Sequence, residues 1–249
     1  MLTRKRTNPL FHPDAFRLIA GEERAERALN DPDSLDLLVW NVFASLETHE
    51  DQRWLAGRMQ LLGGPAVREP VRMSLWAGGA REPRLEPPGS YLARVRERAR
   101  QTGADDASVA SFGAPVTVPV LIESPDVVIL VDAVLDRTTL GHGGRERIVE
   151  LIDVGLEHAR RLDKQLAVAT IYRSGSPAAA ELSARINALR TDKGLAEALD
   201  HRRTLPAVVL REISWQQLLR IWQTEAGYLR VPGHQVKAFV AHCRERGLL

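Results

Sequence analysis

The stretch Val118-Pro-Val-Leu-Ile-Glu-Ser-Pro-Asp-Val-Val-Ile-Leu-Val-Asp-Ala-Val134 constrains the fold of this chain more than any other. Two apolar, β-branched runs flank a Ser124-Pro125-Asp126 turn, so the pattern predicts a hairpin of strands 116–123 and 127–135. The second strand carries Asp132 inside its apolar run. A carboxylate at the heart of a sheet is costly unless it is paired, hydrogen-bonded or metal-bound. Asp132 therefore needs a partner.

Periodicity places the rest of the chain around this hairpin. Residues 14–29 read as one charged helix after a polar arm. A second helix starts at Ser34, a suitable N-cap, with Leu35, Leu38, Val39, Val42, Phe43 and Leu46 at helical spacing. A third runs from Glu50-Asp51 to Leu62 and is stopped by Gly63-Gly64-Pro65. Residues 71–76 read as a strand, 91–102 as a basic helix, and 103–113 as a small-residue connection. After the hairpin, a helix over 145–162 carries the stripe Ile148, Leu151, Ile152, Leu156 and Ala159. It leads into the continuously apolar strand 166–172, as expected of a central strand covered on both faces. A helix over 177–189, a stretch over 195–201 that extends or follows it, a strand at 207–210 and helices over 214–223 and 233–246 complete the chain. A hairpin followed by a helical crossover implies an α/β fold with a mixed β-sheet flanked by helices. Residues 1–33 are expected to form an N-terminal arm and helix, and 34–249 a single α/β domain.

Composition excludes several classes. The chain's 249 residues carry 34 basic and 32 acidic side chains, a balance that does not by itself call for a nucleic-acid partner. The single cysteine, Cys243, rules out an internal disulfide framework and a multi-cysteine zinc site. No apolar run reaches the ~20 residues of a membrane span, so a cytoplasmic protein is the expectation. The seven histidines form no HExxH-type pair. Gly141-His142-Gly143-Gly144 lacks the Lys-Ser/Thr of a phosphate-binding loop and reads as a turn. No serine sits in a nucleophile elbow.

The order of helix, hairpin, helix, strand, helix, strand resembles the PD-(D/E)XK superfamily of restriction-endonuclease-like nucleases. Trp40-Asn41 on the helix after Ser34, and Leu210-Arg-Glu-Ile-Ser-Trp-Gln-Gln-Leu219 as a late strand entering a Trp-bearing helix, add to the resemblance. It covers about 200 residues, from Ser34 to the end, and implies a restriction-endonuclease-like core. Active members of the family hold Mg²⁺ with an Asp on the first hairpin strand, a Glu on the second and often a Glu from the first helix. A Lys two residues after the strand Glu assists the attacking water. On that pattern the Asp falls at Val120, the strand Glu at Asp132, the Lys at Val134 and the helix Glu at Leu35. Only Asp132 keeps a carboxylate.

The resemblance therefore implies a nuclease-like protein that does not cleave and requires no cofactor. It would act as a nucleic-acid-binding or scaffolding subunit, in a bacterial defence or DNA-processing complex, as a homodimer or with a heteromeric partner. DNA or RNA would be met by Arg94, Arg96, Arg98, Arg145, Arg160 and Arg161. One alternative is an active Mg²⁺-dependent endonuclease with a migrated site. There Asp132, Glu123 and Glu47 would hold the metal, and Lys164 or Arg145 would replace the lost Lys. Another is a protein-interaction module without nucleic acid.

Overall fold

In the computed structural model of the chain, residues 8–47, 49–79, 81–103, 106–135, 141 and 145–249 are described, 106–108 by backbone alone. Five strands form one mixed sheet in the order β1 (Arg72–Gly78), β2 (Thr117–Glu123), β3 (Val127–Ala133), β4 (Gln165–Tyr172) and β5 (Val208–Ser214). The β1–β2 and β2–β3 pairs are antiparallel and β3–β4 is parallel. The protein is thus α/β with helices flanking a mixed sheet, as hairpin and crossover implied. Among the described residues no helix is long and apolar enough to cross a membrane.

The chain divides into two compact units. The first joins residues 1–50 to 214–249. It contains α1 (Pro13–Ala20), α2 (Glu22–Asn30), α3 (Leu35–Val39), a π-helical turn Trp40–Ala44 and α4 (Ser45–Glu47). The single helix expected over 14–29 is split at Gly21, whose φ of 88° an L-residue rarely adopts. Ser34 caps α3 as expected, its Oγ accepting the Leu37 N–H at 3.3 Å. Asn41 is fully buried and ties down the N-terminal segment: its Oδ1 accepts the Phe11 N–H and its Nδ2 donates to Pro9 O. Residues 8–11 are therefore anchored, with Leu10 and Phe11 in the core. This unit closes with α11 (Trp215–Glu225), a 3₁₀ turn Ala226–Tyr228 and α12 (Gly233–Glu245). Ser214 and Gln217 form a reciprocal capping box at the start of α11.

The second unit, 51–213, holds the sheet. Its helices are α5 (Gln52–Gly63), α6 (Gly89–Thr102), α7 (Asp106–Ser111), α8 (Arg147–Arg161), α9 (Pro177–Leu189) and α10 (Asp192–Ala198). The small-residue stretch after α6 is helical at α7, where a connection was expected. Asp51 caps α5, accepting the Trp54 N–H at 2.9 Å. All seven residues of β3 are buried because both of its faces are covered. On one face Val128 and Leu130 of β3, Leu166 and Val168 of β4, and Leu151, Ile152 and Leu156 of α8 belong to one core. On the other, α5 packs on β3 and β4, with Gly63 against Ile129.

Candidate functional site

Alternation along β3 places Asp132 on the face covered by α8, with Val128 and Leu130. Its register partner on β4 is Thr170, whose Oγ1 is buried without a hydrogen bond among the described residues. The partner that Asp132 needed is Arg147, the first residue of α8. Arg147 Nε lies 3.5 Å from Asp132 Oδ1, its Nη1 donates to Glu150 Oε2 at 2.9 Å, and its Nη2 donates to Thr117 O. One guanidinium so joins β2, β3 and α8 while remaining only 15% exposed. Burial pushes the Asp132 carboxyl above its usual range; Arg147 opposes the shift without reversing it, and the negative Glu150 adds to it.

Of the other hairpin positions, Val120 does not converge on Asp132. The hairpin register sets Val120 opposite Val131, and Leu121 opposite Leu130. Leu121 and Leu130 belong to the core beneath α8; Val120, the adjacent residue, points to the other face. Val120 and Asp132 consequently lie on opposite sides of the sheet. Val134 is buried just past β3, with its N–H donating to Ile171 O at 2.8 Å. Leu35 and Glu47 belong to α3 and α4 of the first unit.

Glu123 shares the α8 side but sits at the far end of the hairpin, opposite Val128. Four residues of strand separate that level from Asp132, about 13 Å. Glu123 accepts a contact from His158 Nε2 at 3.3 Å. That hydrogen bond outweighs desolvation and, with the charges of Lys164, His158 and Arg72, holds the Glu123 carboxyl below its usual range. Glu123 and Lys164 thus stand together, away from Asp132. Among the described residues no three His, Cys, Asp or Glu side chains are grouped to hold a metal ion.

A second polar cluster was not anticipated from the sequence. Asp153, on α8, is completely buried and surrounded by cations. Arg145 donates to its Oδ2 at 2.8 Å, Arg202 Nε donates to Oδ1, and Arg202 donates to the Asp153 carbonyl at 2.7 Å. His201 Nε2 lies 2.9 Å from Oδ2 but off the hydrogen-bonding direction. The Arg145 guanidinium also covers the Tyr91 ring at 3.8 Å, and Tyr91 packs against His201. Burial alone would raise the Asp153 carboxyl; His201, Arg145 and Arg202 together override it and hold the group below its usual range. The signal was present in the α8 pattern, where Asp153 borders the stripe Ile148, Ile152 and Leu156.

The six arginines proposed to meet nucleic acid have different surroundings. Arg145 is only 11% exposed and committed to Asp153. Arg94 pairs with Asp200. Arg160 and Arg161 both pair with Glu157 on the exposed side of α8, at 2.7 and 3.5 Å. Arg96 and Arg98, on α6, are exposed and have no carboxylate at ion-pair distance among the described residues. Residues 142–144 of the glycine-rich loop lie outside the described residues. Comparison with protein-family models, curated proteins and solved structures finds no match.

Proposed function

We propose that this chain is a restriction-endonuclease-like protein that binds or scaffolds and does not cleave. The order of elements supports the kinship: a helix, the β2–β3 hairpin, the α8 crossover and a parallel strand follow one another as in the PD-(D/E)XK pattern. One observation carries the non-cleaving reading, the engagement of Asp132 by Arg147. A Mg²⁺ ion shared by Asp132 and Glu150 would have to displace a guanidinium already bound to both carboxylates. Mg²⁺ also demands near-ideal octahedral oxygen coordination. These residues do not fit that ion.

Arg147 gives the single remaining carboxylate a structural task instead. It fastens the ends of β2 and β3 to the start of α8, and the sheet serves as a rigid platform for the surface around it. Incubation of the protein with plasmid, linear and single-stranded substrates in Mg²⁺ or Mn²⁺ tests the reading. Wild type and Asp132→Asn are expected to behave alike, with no metal-dependent cutting. Cutting in wild type that the folded variant loses would overturn it and restore the endonuclease.

A further inference from the structure

The helix α6 has a composition out of keeping with its surroundings. None of the 14 residues of Gly89–Thr102 is fully buried, yet Leu92, Val95 and Ala99, each only half-buried, repeat at helical spacing. A helix with an apolar stripe ordinarily buries it, because that burial is what stabilises a short helix in a protein. Tyr91 packs against the Arg145 guanidinium, and Arg94 pairs at the surface with Asp200. Another side of α6 faces α7 across a cavity of about 530 Å³ lined by Leu92, Arg96, Ala99, Arg100, Val109 and Ala110. Its size is that of ligand pockets, with room for more than one aliphatic side chain.

We infer that this α6–α7 groove docks an acidic, aliphatic-rich segment of a partner protein in helical form. The floor is aliphatic, so the occupant contributes aliphatic side chains. The rim is set by Arg96 and Arg100; Arg94 is paired with Asp200 and Arg100 with Glu97 at 3.5 Å, which leaves Arg96 and Arg98 as the cations of α6 with no carboxylate at ion-pair distance among the described residues. Arginine forks pair with carboxylates in two-pronged fashion, so acidic residues flanking the aliphatic anchors complete the match. This is the helix-in-groove mode, with anchors one helical turn apart. The same charges exclude a second copy of α6 as the occupant, since two such helices repel. Nucleic acid fits less well, because among the described residues no aromatic side chain lines the groove to stack on a base. The inference deepens the binding reading by naming a partner class.

The test uses the full chain and a fluorescein-labelled helical peptide with leucines one turn apart and glutamates elsewhere. Fluorescence anisotropy is expected to show binding in the micromolar range, weakened about tenfold or more by the double change Arg96→Glu and Arg100→Glu. Both side chains are exposed, so the fold should persist, and circular dichroism checks it. A matching peptide with lysines for glutamates should bind the charge-reversed variant better than the wild type. Ala110→Trp, which fills the groove without altering charge, should also weaken the acidic peptide. Absence of peptide binding, or binding indifferent to these changes, overturns the inference. So does a labelled oligonucleotide that binds the wild type and is lost in the Arg96/Arg100 variant, which would assign the groove to nucleic acid. Neither outcome touches the cleavage assay at Asp132, so the two readings fail separately.

Discussion

Two aspartates of the second unit show how environment decides what a buried carboxylate does. Asp132 has one guanidinium at 3.5 Å, shared with Glu150, and its carboxyl is pushed up. Asp153 has two guanidiniums and an imidazole, and its carboxyl is pushed down. Removing the Asp153 carboxylate strands Arg145 and Arg202 in a site where each is nearly buried. Asp153→Ala should therefore cost about 3–5 kcal/mol in urea unfolding. The pH dependence has a definite sign. A carboxyl held low in the folded state stabilises fully above the ordinary carboxylate range, and that stability is lost as pH falls through the folded value. The stability gap between wild type and Asp153→Asn should accordingly narrow on acidification below that range; a gap unchanged with pH would contradict the assignment. Asp132 works in the other direction. Its raised carboxyl costs stability as pH climbs from the ordinary range through the folded value, a loss that Asp132→Asn should be spared. Unfolding midpoints of the two proteins across that window measure it.

At the level of elements, α8 is held at close range to the sheet. A Cβ on Gly155 would meet Leu166 Cδ1 at 2.7 Å and Leu130 Cδ1 at 2.9 Å, inside van der Waals contact. In an exposed helix Gly→Ala gains about 1 kcal/mol. Here overpacking should dominate, so Gly155→Ala is expected to destabilise by about 1–3 kcal/mol. A raised Tm for this variant would show that α8 can move outward without loss. The same helix carries Ile152 and Leu156 to the core, Arg147 to Asp132 and His158 to Glu123. Its apolar stripe was legible because helical periodicity is local. Its polar contacts were not, because each partner lies on a different strand or loop.

On the scale of the whole chain, the first unit is built from both ends of the sequence. Phe11 stacks near Trp222 and meets Phe239 edge-on, with centroids 6.0 and 5.4 Å apart. Trp222 Nε1 donates to Ser45 Oγ at 3.0 Å. Trp222→Ala should cost about 3–5 kcal/mol in denaturant unfolding. Trp222→Phe keeps most of the ring packing and should cost only about 1–2 kcal/mol, largely the lost hydrogen bond. Equal costs would mean that packing contributes little there. Spacing along the chain was enough to place the hairpin, the α8 crossover and most helices, since propensity, capping and hydrophobic period act over a few residues. It also marked Asp132 as a residue in need of a partner. Tertiary structure alone decided which partner that was, and that Val120 faces away from it. Strand register turns every side chain over with a one-residue shift, and ion pairs depend on distances between segments far apart in sequence.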